Sequence, residues 1–208
     1  MKNPEKTDIT LGRPAKVAAL LGKLKGNGLF RVADAERVGI SQPSLSRLVS
    51  AGQVHRVGRG LYELAAKGVD PDKRDYVVAC TKFGNDAFIG GLTALFHYGL
   101  TEQVPGQVWV IVSFDTKTVE PLYRLIRTRS NTRKGVLEFK DYRIASIERA
   151  VLEGLRYSSK IGLGTALRAA RKALSSRKTT ETKLYNMAKE LKLERVLQKH
   201  WESILPEV

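Results

Sequence analysis

Residues 14–64 constrain this chain most: three short helix signals run directly into a glycine-centred hairpin. Val17, Leu20, Leu21 and Leu24 recur at i, i+3, i+4 and i+7, the spacing of one buried helix face. Pro14 suits the first turn of that helix, and Gly26-Asn27-Gly28 is expected to end it. A second short helix is expected from Val32 to Val38, stopped by Gly39. Ser41 then reads as the N-cap of a third helix that tolerates Pro43 in its first turn.

On the third helix Leu45, Leu48 and Val49 face one way. At about 100° per residue, Pro43, Ser46, Arg47 and Ser50 fall opposite, with Gln42 and Ser44 flanking. A small domain usually opposes its core with Lys and Glu, whereas this face is short, hydroxyl-rich and neutral apart from one arginine. Such a face approaches a phosphate-lined groove closely, and Ser, Gln and Arg side chains pair with base edges. The plainer reading is a solvated polar helix.

Gln53 to Leu64 follows, with two runs of strand formers around Gly58-Arg59-Gly60. The glycines permit a tight tip that presents the Arg59 guanidinium, with Arg56 just before it. A tip with arginine and no acid suits phosphate or minor-groove contact. Helix, helix, helix and hairpin in this order make a winged helix-turn-helix, with Gln42, Pro43, Ser44, Ser46, Arg47, Ser50, Arg56 and Arg59 as its expected DNA-binding residues.

The same residues carry a family resemblance. Leu29-Phe30, Ala33-Asp34-Ala35, Val38-Gly39-Ile40-Ser41, Leu45-Ser46-Arg47-Leu48, Gly52 and Arg56-Val57-Gly58-Arg59-Gly60-Leu61-Tyr62 resemble the N-terminal domain of the AbiEi-type antitoxins of bacterial type IV toxin–antitoxin (abortive infection) systems. Beyond the hairpin, FIGGLTALFHYGLTEQVPGQVWVIV and RIASIERAVLEGL are similar, more weakly, to stretches of that family's second domain. Tyr123 to Lys134 departs from the family pattern in being more arginine-rich. The resemblance implies an N-terminal domain that represses its own operon and a C-terminal domain that neutralises a nucleotidyltransferase-like toxin, without necessarily forming a stable complex with it.

The composition points to a polyanionic partner. Formal net charge is +15 over 208 residues. Nucleic acid comes first and an anionic membrane surface second. Membrane association lacks support, because no apolar run approaches the roughly 20 residues of a spanning helix and Met1 to Gly12 contains no signal-like stretch. The single Cys80 precludes an intrachain disulfide and reads as a small buried side chain. Three scattered histidines give no zinc-site spacing. The expected compartment is a reducing cytoplasm, with no metal and no cofactor.

Ala65 to Pro71 reads as the boundary, giving expected domains of 1–67 and 71–208. Both are basic: residues 1–70 hold 12 Lys and Arg against 6 Asp and Glu, and residues 71–208 hold 24 against 15. The second domain reads as mixed α/β with a helical C-terminal end, so the chain as a whole is expected to be α+β. Helices are expected near 72–83 and 91–98, the latter stopped by Gly99, and strands at 108–112, 122–127 and 136–139. Ser146 should cap a helix carrying Ile147, Val151, Leu152 and Leu155, and three further helical segments follow.

Two basic clusters form a candidate antitoxin or nucleic-acid surface. Arg124, Arg127, Arg129, Arg133 and Lys134 surround an expected hairpin, and Arg168, Arg171 and Lys172 share one helix stripe away from Leu167 and Leu174. A solvated charged face is the plainer alternative.

Catalytic chemistry is not expected. Gly90-Gly91, an amphipathic helix and a buried strand resemble the glycine pair, helix and acidic strand of nucleotidyltransferases. That chemistry needs two carboxylates one residue apart to hold paired magnesium ions. Here Asp115 has Ser113 two residues before it, and one carboxylate cannot build the site. Phosphate-loop, His-Glu-x-x-His and Gly-x-Ser-x-Gly motifs are absent. His97, between Phe96 and Tyr98, reads as a packing residue.

The expected function is therefore that of a DNA-binding transcriptional repressor and antitoxin. Its partners would be double-stranded operator DNA and a cognate nucleotidyltransferase-like toxin or that toxin's RNA target. The alternative is a stand-alone winged-helix transcription factor whose second domain binds an effector or a protein. An enzyme of nucleotidyltransferase type with an attached DNA-binding domain ranks third.

Overall fold

A computed structural model describes residues 14–24, 28–65, 69–128 and 133–205, with backbone only for 14–17. The helix stop at Gly26-Asn27, the core role of Val17, the boundary residues Ala66-Lys67-Gly68 and Arg129 lie outside what is described. Helices and strands mix along the chain in the α+β class, and they fall into two compact units, Met1–Arg74 and Asp75–Val208.

In the first unit, α1 (Pro14–Gly22), β1 (Leu29–Arg31), α2 (Val32–Arg37) and α3 (Gln42–Ser50) precede β2 (Val54–Gly58) and β3 (Leu61–Leu64). The strands form an antiparallel sheet in the order β1-β3-β2. Leu24, Phe30, Ala35, Ile40, Leu45, Leu48, Val54 and Leu64 make one core, with Leu20, Leu21 and Tyr62 packed against it. This is the expected winged helix, plus a strand that the sequence pattern does not announce. β1 has three residues, too few to show alternation, and its partner across the sheet identifies it. Phe30 pairs with Tyr62, their rings stacked at 5.9 Å.

β2 and β3 are joined at Arg59-Gly60, where Gly60 takes φ +70°, a conformation that a side chain would strain. The Gly60 carbonyl accepts from the Val32 amide at 3.2 Å, tying the hairpin to the start of α2. Asp70 caps a 3-10 turn at Pro71–Lys73, accepting from the Asp72 amide. Glu63, nearly buried on β3, receives two hydrogen bonds from Arg74, at 2.9 and 2.8 Å. The Arg74 guanidinium holds the Glu63 carboxyl below the usual carboxylate range.

The second unit is built on a five-stranded sheet. Its elements are α4 (Arg74–Phe83), β4 (Phe88–Ile89), α5 (Gly91–His97), β5 (Val108–Ser113), β6 (Tyr123–Thr128), β7 (Val136–Glu138) and β8 (Arg143–Ala145), then α6 (Ile147–Arg156), α7 (Ser158–Ile161), α8 (Leu163–Ser175), α9 (Glu181–Leu191) and α10 (Glu194–Ile204). Strand order is β6-β5-β4-β8-β7, with β5–β6 and β4–β8 parallel and the other pairs antiparallel. The expected hairpin between residues 122–127 and 136–139 is corrected here. β6 and β7 lie at opposite edges of the sheet, because the two-residue β4 and three-residue β8 pair with each other and fill the middle.

Ser146 caps α6 as expected, accepting from the Arg149 amide at 3.3 Å. α6 packs against α5, α8, α9 and α10 and is buried almost all round from Arg149 to Leu155. Its two buried ionisable side chains pair, Arg149 Nε donating to Glu153 Oε1 at 2.9 Å. α8 packs against α6 and buries Ala166, Ala169, Ala170 and Ala173, small residues that admit close helix approach.

The Glu63–Arg74 pair has a consequence for acid stability. A carboxyl whose folded pKa is lowered stabilises the fold above its ordinary value of 4.5, and that contribution is lost as pH falls through the lower folded value. Glu63→Gln should therefore lower the stability of the first unit by about 1 kcal/mol at neutral pH, given that Arg74 is partly exposed. It should also flatten the loss of stability below pH 4.5. Urea unfolding across pH, followed by NMR signals of β3, measures both effects; an unchanged pH profile contradicts the assignment.

Candidate nucleic-acid interface

α3 is amphipathic by construction. Leu45 and Leu48 are buried in the core, and Gln42, Pro43, Ser46, Arg47 and Ser50 are exposed. Those five expected contact residues stand on the solvent side of one helix. Ser44 does not join them. It lies four residues before Leu48, on the core stripe, and is 6 % exposed. Ser41 takes the N-cap position, but its hydroxyl donates to Ser44 Oγ at 3.0 Å instead of accepting a backbone amide. This serine pair satisfies the buried Ser44 hydroxyl, so its position is architectural.

Ser46 donates to the Gln42 carbonyl at 3.2 Å, four residues back along the helix. Its oxygen retains acceptor capacity toward a base amino group. Pro43 at the second helical position removes a donor that the helix does not use. The C-terminal end of α3 leads straight into the hairpin, the Gln53 amide donating to the Leu48 carbonyl at 3.0 Å.

Arg56 on β2 and Arg59 at the turn are both exposed. Among the described residues, Arg47, Arg56 and Arg59 have no ion-pair partner. The contrast with α2 is informative. Arg31 and Arg37 both pair with Asp34, at 3.5 and 3.0 Å, so their charge is already answered within the unit. His55, exposed beside Arg56, was not anticipated. Its signal in the sequence is weak, since strand alternation would place one of two neighbours inward, whereas both are exposed here.

The second unit disperses its arginines. Arg124 and Arg127 sit on edge strand β6, the former with its guanidinium 4.5 Å from the Trp109 ring centroid, the latter donating to the Thr116 carbonyl at 2.9 Å. Arg133, toward the opposite edge, pairs with Glu138 at 3.1 Å and Asp86 at 3.7 Å. Arg171 Nε donates to the Ser203 carbonyl near the end of α10 at 2.5 Å, and Arg168 reaches Thr165 at 3.5 Å. Lys134 and Lys172 are exposed. These residues do not form one hairpin-centred cluster.

Two inward-turned arginines were not anticipated, Arg143 half-buried and Arg149 buried. Arg143 donates to the carbonyls of Ala87, Gly84 and Cys80, and Arg149 to that of Lys134. Part of the basic excess is therefore internal scaffolding. Cys80 is buried against Arg143, and burial pushes its thiol pKa up, which suits an inert packing residue. His97 packs edge-on against Tyr76 and Tyr98.

The glycine pair also has a packing role. A Cβ at Gly90 would lie 2.5 Å from Ile111, and one at Gly91, which has φ +50°, would lie 2.5 Å from Trp109. Ser113 at the end of β5 is hydrogen-bonded to Thr116 at 3.0 Å, and Asp115 is exposed beyond the strand. No group of three or more His, Cys, Asp or Glu residues suited to a metal ion occurs among the described residues. No helix among them is long and apolar enough to cross a membrane.

The model of a protein family described as "Transcriptional regulator, AbiEi antitoxin" matches residues 24–65, from the end of α1 through β3. That family is one of regulators, and the matched segment contains α3 and the whole hairpin. No curated protein matches the chain.

Arg47→Ala should cost about 1–3 kcal/mol on a specific duplex and relax preference at one base position. Arg56→Ala and Arg59→Ala should each weaken binding to all duplexes and lower the salt slope by about 1. Fluorescence-anisotropy titrations across salt separate these effects. Equal losses for Arg47→Ala on specific and random DNA would make it a backbone contact, and unchanged slopes would remove the hairpin from the interface.

Proposed function

We propose that this protein is a transcriptional repressor that binds double-stranded DNA upstream of its own gene and also acts as the antitoxin to a nucleotidyltransferase-like toxin. The observation that carries the reading is the joint exposure of the α3 face and the unpaired Arg56 and Arg59, within a segment matching AbiEi antitoxin regulators. Gln42, Ser46, Arg47 and Ser50 would meet base edges and Pro43 would allow close approach, while Arg56 and Arg59 hold phosphates or the minor groove.

Residues 75–208 would carry the antitoxin action, opposing the toxin directly or protecting the RNA it modifies. Lys134, Arg168 and Lys172 are its candidate contacts. The unit is proposed to be non-enzymatic. Ser113 stands where a second carboxylate is needed, and Trp109 and Ile111 crowd the glycine pair. Nothing in this reading requires a cofactor.

Co-expression tests the two roles together. The toxin gene neighbouring this one would be induced in cells carrying a reporter under the protein's own promoter. The wild-type chain should repress the reporter and restore growth. The double variant Arg47→Ala, Arg59→Ala should release the reporter at least tenfold while still restoring growth. Loss of both functions would show that neutralisation depends on DNA binding. Repression without rescue by the wild-type chain would favour a stand-alone regulator.

A further inference from the structure

The C-terminal helices enclose a groove whose chemistry runs against that of the chain. Glu181, Thr182 and Tyr185 of α9 and Glu194, Leu197, Gln198 and Trp201 of α10 line a cavity of about 540 Å³. The positions explain the groove. On α10 the residues recur at i, i+3, i+4 and i+7, and on α9 at i, i+1 and i+4, so each helix presents one stripe. Leu197 is buried as its floor and Tyr185 is 50 % exposed.

Glu181 and Glu194 are both exposed, and among the described residues neither has an ion-pair partner. Two carboxylates with two aromatic rings over an apolar floor make a cation-binding surface: the carboxylates supply charge, the rings supply faces for a guanidinium or ammonium, and the floor takes the alkyl stem. The Tyr185 ring already accepts such a contact, from the Lys189 ammonium at 5.3 Å from its centroid. On a chain of net charge +15, this groove disfavours nucleic acid.

We propose that the α9–α10 groove is a docking site for a protein partner, and that it takes an arginine- or lysine-bearing segment of that partner flanked by apolar residues. Charge complementarity selects the cation. A groove formed as an open cleft between two helices, with both polar and apolar walls, suits a side chain delivered on a peptide. The site is independent of α3 and the hairpin, so its failure leaves the DNA-binding reading untouched.

The test uses the full chain and a capped pentapeptide of alternating leucine and arginine as probe. Binding is followed by tryptophan fluorescence, since Trp201 lines the groove and Trp109 is buried in the β-sheet. A saturable change is expected, absent in Trp201→Phe and weakened about tenfold in the Glu181→Gln, Glu194→Gln double variant, whose exposed substitutions leave the fold intact. Three results overturn the proposal: no saturable change, equal affinity in the double variant, or binding of tetramethylammonium as tight as that of the peptide, which would make the groove a small-cation site.

Discussion

The packing of Leu45 and Leu48 into the first unit's core is the contact on which the rest of the proposed DNA-binding surface depends. Burying each side chain contributes about 1.5–3 kcal/mol, but its larger effect is geometric. Two leucines three residues apart fix the rotation of α3 about its axis. That rotation decides that Gln42, Ser46, Arg47 and Ser50 face water and that Ser44 does not. The Leu48 carbonyl then holds the Gln53 amide, so the core that orients the helix also sets the root of the hairpin. A reading surface needs this rigidity, because base-edge contacts are lost with small errors of position.

Charge plays two distinct parts in the molecule. Arg143 and Arg171 spend their donors on backbone carbonyls, Arg31, Arg37, Arg74 and Arg133 on carboxylates, and Arg149 on one of each, the Lys134 carbonyl and the Glu153 carboxylate. Arg47, Arg56 and Arg59 are exposed without such partners, and they lie in the segment that matches a regulator family. Net charge alone therefore overstates the cationic surface. The distinction also makes the α9–α10 groove notable, since among the described residues its carboxylates have no ion-pair partner, on a chain rich in cations.

The winged helix was legible in the sequence because its signals are local: the Leu spacing of the helices and the glycine-bounded turn are each set by a few adjacent residues. β1, β4 and β8 were not, since two or three residues show no period and such strands exist only through partners far along the chain. The same blindness produced the expected hairpin around the cluster from Arg124 to Lys134, where two true strands belong to opposite edges of one sheet. On α3 the helical wheel put Gln42, Pro43, Ser46, Arg47 and Ser50 on the side that the structure exposes. Ser44 was misplaced because a serine on the core stripe looks polar until its partner, Ser41, is seen. Arg149 was hidden for the complementary reason: a buried arginine is recognisable only with Glu153 and the Lys134 carbonyl around it.

The central claim is that α3 reads the major groove of DNA upstream of the protein's own gene. Methylation interference on that duplex tests it most directly, because guanine N7 lies in the major groove and adenine N3 in the minor. The account predicts a discrete set of guanines whose N7 methylation abolishes binding by the wild-type chain, with at least one lost from the set in Arg47→Ala. Tight binding indifferent to guanine methylation, or no preference for this duplex over random DNA, would contradict it.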